Sequence, residues 1–348
     1  MTAQGKRSFI ARLLTLAVAG LAALVSSPAS LNAQETSKGP GLRIRSLPVF
    51  DDGVVRTADA NLRGYQPGEF PRLTKLAENV YVYESLQPIG ALENVFSTNC
   101  FIVITSDGVL VADGLTTPSL VKEMIGQIGR LTSQPIRYFV VGADHGDHTG
   151  GNSAFPESTK FFASPYSKAL LERRQNAPGR GGASPGRKID YQEVAGDKMV
   201  LNLGGTEIQI LNLGRAHTGG DLEVYLPKQR IMYMSEAYFN RLYPSTYSSY
   251  PSEWIATIRK AEAMNAALYI PAHGFIDSAV ILNQELISFR MCLEQIVEEG
   301  KRLHDAKVSL DQAPRAALLG AYAYWTRTAQ NLPDALKRIY MEVDGQLK

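Results

Sequence analysis

Ala143-Asp144-His145-Gly146-Asp147-His148-Thr149-Gly150-Gly151-Asn152 follows directly on the apolar run Ile136 to Val141. It reads as the loop H-x-H-x-D-H with alanine in the first slot. Where a strand runs out into a loop, residues two apart point the same way. Positions 143 and 145 would therefore face one cation, while Asp147 and His148 turn to a second. Imidazole nitrogens and carboxylate oxygens are the ligands that zinc takes in tetrahedral sites with one open position. Taken alone, the string fits equally well two surface histidines with no ligand role.

Three further stretches shift that balance. Glu207 to Leu211 is strand-like and leads into Gly214-Arg215-Ala216-His217-Thr218-Gly219-Gly220-Asp221, which places a histidine in a turn after a strand. Leu268-Tyr269-Ile270-Pro271-Ala272-His273-Gly274 again ends an apolar strand in histidine and glycine. Between them, Ile231-Met232-Tyr233-Met234-Ser235-Glu236 delivers a carboxylate to a strand end. Four strand ends thus converge on metal-ligand chemistry.

With these residues in this order, the chain from about Leu76 to Phe275 resembles the metallo-β-lactamase superfamily. The resemblance implies an α/β fold, a four-layer αββα sandwich. It implies that the positions of Ala143, His145 and His217 serve a first metal and that Asp147, His148 and His273 serve a second. The position of Glu236 is commonly an aspartate bridging both. Two departures weaken the first site: Ala143 replaces a histidine, and Ser235-Glu236 stands where Gly-Asp is usual. The expected cofactor is zinc, with one strong site and a second, weaker one. Asp147, His148 and His273 give three ligands and an open position, enough to lower the pKa of a bound water toward ~7. The resulting hydroxide would attack a carbonyl, with Asp147 as the catalytic residue holding the water in line. Asp144 does not rescue the first site, because the alternation that aims 143 and 145 inward aims 144 away.

The N-terminus carries three bases (Lys6, Arg7, Arg12), an apolar run from Leu13 to Val25, and small or polar residues ending at Leu31-Asn32-Ala33. That layout predicts a signal peptide over residues 1–33 and a periplasmic or secreted protein, with no stable membrane span after cleavage. Removing it takes away three bases and no acids, so the formal charge falls from +2 to −1. A near-neutral chain gives no electrostatic case for nucleic acid, and the expected partner is a small-molecule substrate. Cys100 and Cys292 are expected as two buried thiols outside the ligand set.

Residues 34–70, rich in Gly, Pro and Arg, read as an irregular arm on the surface; residues 71–279 read as the sandwich. Its expected strands are 80–83, 100–105, 109–112, 136–141, 161–163, 199–203, 207–211, 222–226, 231–234 and 268–270. Expected helices run from Pro118 to Leu131 behind a Thr117 cap, over 165–174 and over 252–267. Residues 280–348 form an added C-terminal helical segment, a lid over the sandwich. Ile281, Leu286, Phe289, Leu293 and Ile296 fall at helical spacing, 316–324 and 336–341 continue helically, and Pro333 is a break. His304 is expected to be exposed.

Two segments bear on substrate choice. Residues 173–188 are a basic, Gly- and Pro-rich loop, either a solvated insertion or an arm attracting an anionic substrate. Residues 237–251 are aromatic and follow Glu236, either as an apolar wall beside the metal or as packing under the next helix. The composite expectation is an exported zinc hydrolase acting on a lactam, lactone or ester. The alternative is a non-catalytic metal-binding protein of the same fold. An iron oxygenase would need the first centre intact.

Overall fold

The computed structural model describes residues 53–89, 92–176 and 187–347. Residues 1–33, the expected signal peptide, lie outside the described residues, as do most of the expected arm and the middle of the basic loop.

A seven-stranded sheet is built, in spatial and chain order, from β1 (Arg72–Ala77), β2 (Val80–Ile89), β3 (Leu92–Thr105), β4 (Gly108–Ala112), β5 (Ile136–Val140), β6 (Lys160–Ala163) and β7 (Tyr191–Glu193). The first four strands pair antiparallel and the last four parallel. A five-stranded sheet has the order β12-β11-β10-β9-β8, from β8 (Lys198–Leu203), β9 (Thr206–Leu211), β10 (Glu223–Leu226), β11 (Ile231–Tyr233) and β12 (Leu268–Ile270).

Alternation along the strands sorts side chains into layers. In β3 and β4, Phe101, Val103, Leu110 and Ala112 face the second sheet and meet Ile208, Ile210, Val224 and Tyr233. The residues between them, Ile102, Val109 and Val111, face outward onto α1 (Pro118–Leu131) and α3 (Pro165–Asn176). These strands are buried on both faces, which is why they read as continuous apolar runs rather than alternating ones. In α1 the Thr117 hydroxyl accepts from Leu120 N–H, Pro118 opens the first turn, and Val121, Met124 and Ile128 form the buried stripe.

The outer face of the second sheet is covered by α4 (Pro251–Ala263), α5 (Ala279–Asp305) and α7 (Thr328–Val343). Trp254, Phe289, Leu293, Ile296, Leu336 and Ile339 form its core with Met232. Two short helices complete the set, α2 (Gly146–Thr149) and α6 (Ala313–Ala316). The result is the four-layer α/β sandwich with added C-terminal helices. Gly300 on α5 is needed where α7 crosses, since a Cβ there would meet Ile339 Cγ2 at 2.8 Å.

Several expectations are corrected. β2 and β3 form a longer hairpin than 80–83 and 100–105. α4 stops at Ala263 because Asn265 takes a left-handed conformation (φ 51°), a helix-ending geometry that asparagine tolerates. Residues 316–324 are not a continuing helix: Ala317 is extended and Gly320 has φ 56°, leaving only α6 and a 3₁₀ turn over Gly320–Tyr324. Pro333 does not break α7, which runs through it. The lost N–H costs one bond, and burial of Asn331, Leu332, Ala335, Leu336 and Ile339 holds the helix. The expected C-terminal helical segment is present and forms the outer layer over the second sheet.

His304 is half-buried rather than exposed, bonded to Asp344 at 3.0 Å and edge-on to Tyr340. The described part of the arm is irregular but anchored. Ala58 is fully buried, and Arg56 and Arg63 pair with Glu285 and Asp277. Cys100 and Cys292 are separate buried thiols. No helix among the described residues is long and apolar enough to cross a membrane.

Candidate metal centre

β5 delivers its chain end to the opening between the sheets, where His145 precedes the first turn of α2. The turn Thr149-Gly150-Gly151 lies flat against the start of α1. A Cβ at Gly150 would meet the Thr116 carbonyl at 2.2 Å, so backbone approaches backbone only with glycine there. β9 leads to His217, β11 to Glu236 in a 3₁₀ turn, and β12 to His273.

All six predicted residues come together in two groups that share Glu236. Asp147, His148, Glu236 and His273 form one; His145, His217 and Glu236 form the other. In the first group His148 Nε2 and His273 Nε2 face each other at 3.2 Å. Glu236 Oε1 is 3.5 Å from His148 and 3.3 Å from His273, and Asp147 Oδ2 is 3.6 Å and 3.4 Å from the same two nitrogens. A tetrahedral zinc with bonds of ~2.0–2.1 Å separates its ligand atoms by about 3.3 Å. The five edges fall around that value, so the residues present fit a zinc-sized cation. The second group is a tighter triangle: His145 Nδ1 lies 3.0 Å from His217 Nε2 and 2.8 Å from Glu236 Oε2, and His217 Nε2 lies 3.2 Å from Glu236 Oε1. Ala143 is fully buried beside it and brings no donor atom.

The ring orientations are set from behind. His273 Nδ1 lies 3.0 Å from the Ser97 carbonyl, which can only accept, so Nδ1 carries the proton and Nε2 keeps its lone pair. His145 Nε2 contacts the Ser248 hydroxyl at 3.0 Å. Asp113 Oδ2 lies 3.4 Å from His148 Nδ1, while Asp113 also accepts from Gly142 N–H, the Tyr233 hydroxyl and the Ser235 hydroxyl. Such outer partners fix the tautomer and raise ligand basicity. Sequence reading missed Asp113 and Ser248. The signal for Asp113 was an acid ending the apolar run Val109 to Ala112; Ser248 had none.

Burial would raise the Glu236 carboxyl, but the imidazoles of His217, His145 and His148 hold it well below the usual range. Burial lowers His145, yet Glu236, then Asp147 and Asp144, lift it to about 9. Against the same burial, Asp147, Asp113 and Glu236 raise His148 well above its ordinary value. His217 is lowered, by burial foremost. Asp144 points away from the site, onto Ser167 and Arg174, as the alternation requires.

The aromatic loop divides between its two readings. Tyr238 and Tyr243 are core, and Phe239 packs between His217, His273 and Trp254. Tyr247 is exposed and stacks on the His145 ring at 5.0 Å. In the basic loop, Arg173 and Arg174 belong to α3.

Two facing sheets under two helical layers, with six ligand-type side chains gathered at strand ends, define an αββα protein with a candidate metal centre. The sequence profile of the metallo-beta-lactamase superfamily matches residues 94–273, about half of the chain, and the protein belongs to that superfamily. The 2,4-dinitroanisole O-demethylase subunit alpha of Nocardioides sp. (strain JS1661) is 24% identical over 52% of this chain and 53% of its own length. The chain thus spans about half of that relative. The metallo-beta-lactamase type 2 of Bacillus sp. (strain 170) is 24% identical over 61% of this chain and 79% of its own. Among solved structures, a metallo-beta-lactamase from Pontibacter korlensis has a TM-score of 0.54 at 20% identity, covering 63% of this chain and 98% of that one.

Proposed function

We propose that this protein is an exported, zinc-dependent hydrolase acting on a small-molecule substrate with a lactam, lactone or ester carbonyl. The near-tetrahedral spacing of Asp147, His148, His273 and Glu236 carries this reading. Asp147, His148 and His273 would hold the strong zinc and leave a position open, with Glu236 shared toward a weaker one at His145 and His217. Bound there, zinc would supply Lewis acidity toward a water and toward the acyl oxygen.

The chain's own residues do the rest. Asp147, about one-third exposed while its neighbours are buried, is the carboxylate that reaches solvent and would orient the attacking water and take its proton. The Ser97 carbonyl and Asp113 lock His273 and His148 in place. Phe239 excludes water on the inner side, and Tyr247 forms the outer rim. Sandwich residues 71–279 carry the site, and 280–348 would serve as its supporting helical layer. Export through a signal peptide predicts cleavage after residue 33, which intact mass of the mature protein would test.

The deciding experiment pairs zinc content with turnover on lactam, lactone, carboxylic ester, phosphate ester and aryl methyl ether reporters. About one tightly bound zinc per chain with turnover supports the proposal. Bound zinc with no turnover on any reporter favours a binding protein, the reading that the donorless Ala143 supports. Protein that cannot be loaded with zinc overturns both.

A further inference from the structure

Beside the metal centre lies a cavity of about 270 Å³, at the small end for small-molecule sites. It is lined by His145 of the metal centre and by Tyr247, Arg174, Arg187, Ile189 and Asn152. No carboxylate lines it among the described residues. Arg174 is tied to the backbone carbonyl and carboxylate of Asp144. Arg187 is different: its Nη2 donates to the Phe155 and Pro156 carbonyls at 3.1 and 3.0 Å, and its guanidinium lies over Phe161. Among the described residues no carboxylate pairs with it. Asn152 is almost fully buried and hydrogen-bonds to Tyr191. Two guanidiniums in a partly apolar hollow without a lining carboxylate match one ligand chemistry: a planar anion attached to a small ring.

We infer that this cavity binds a carboxylate of the substrate, with Arg187 as its principal partner and Arg174 as the second. The rest of that substrate would then extend past Tyr247 to the metal centre. Assigning the anion to a substrate rests on the hydrolase reading; binding of the anion does not. The test is therefore run on metal-free protein, where lack of turnover cannot affect it and no zinc can capture the ligand.

Benzoate and its neutral isostere benzamide are titrated calorimetrically into EDTA-treated full-length protein. Benzoate should bind at least about tenfold tighter than benzamide, the effect of a charge-assisted hydrogen bond at a part-buried site. Arg187→Gln should weaken benzoate about tenfold and leave benzamide within about twofold; Arg174→Gln should act in the same direction. Equal binding of the two probes, or parallel losses of both in Arg187→Gln, overturns the inference, since a merely structural arginine would affect both. Inorganic phosphate binding more tightly than benzoate would also overturn it, in favour of a free-anion site. If the variants do not fold, the wild type decides. Raising salt from about 20 to about 500 mM must weaken benzoate several-fold and spare benzamide, and equal salt sensitivity contradicts the assignment.

Discussion

Replacing Glu236 by glutamine keeps the side-chain volume and removes the one carboxylate that both ligand groups share. In the metal-free protein its largest measurable consequence falls on His145, whose Nδ1 lies 2.8 Å from Glu236 Oε2. Burial alone would depress that imidazole, so its rise from 6.5 to about 9 reflects the carboxylates around it, Glu236 first. Because the folded value lies above the unfolded one, the interaction stabilises fully below pH 6.5 and is lost as pH rises through about 9. The shift corresponds to about 3 kcal/mol. The lowered Glu236 carboxyl owes most to His217 and then to His145, and its His145 part is the same interaction, counted once. Urea unfolding of EDTA-treated protein at pH 6 and pH 9.5 should therefore show wild type losing up to about 3 kcal/mol more than Glu236→Gln across that window. Imidazole NMR should show the His145 titration fall from about 9 in the variant, since only Asp147 and Asp144 remain to offset burial. In wild type, zinc affinity of the group holding His145 should rise with pH up to about 9, as the proton it must displace is lost. An identical pH dependence of stability in the two proteins, or no imidazole titrating above pH 8 in wild type, would refute the reasoning.

Ala143→His should raise zinc stoichiometry toward two per chain, read by metal analysis after dialysis; an unchanged value would mean that the first centre is misplaced. His148→Ala and His273→Ala should each abolish tight zinc binding, whereas His217→Ala should spare it, and retained tight binding in both of the former counts against the assignment. Phe289→Ala, which empties the contact between α5 and the rings of Phe239, Tyr238 and Trp254, should cost about 3–5 kcal/mol in urea unfolding. A loss below about 1 kcal/mol would show that these rings repack.

Much of the sandwich was readable because β3, β4 and β5 are buried on both faces and so stand out as apolar runs between turn residues. The six ligand-type residues were readable because they follow the ends of four strands, β5, β9, β11 and β12. Failures occurred where tertiary packing overrides local preference. Pro333 stays within α7 because the buried face around it outweighs one missing hydrogen bond, and the arm that looks like surface loop buries Ala58 and two arginines against α5 and its neighbours. Asp113 and Ser248 escaped notice for another reason. They act on histidines 35 and 103 positions away in the chain; the acid closing the run Val109 to Ala112 was the one local signal, and it did not say which ring it supports. The cationic cavity shares this property, since it joins Arg174 at the end of α3 to Arg187 before β7.

The asymmetry of the two ligand groups is the central claim, and anomalous diffraction at the zinc edge from zinc-soaked crystals tests it most directly. Full occupancy among Asp147, His148, His273 and Glu236, with clearly lower occupancy at His145, His217 and Glu236, is the predicted result. Equal occupancies, or a stronger peak at His145 and His217, would contradict it.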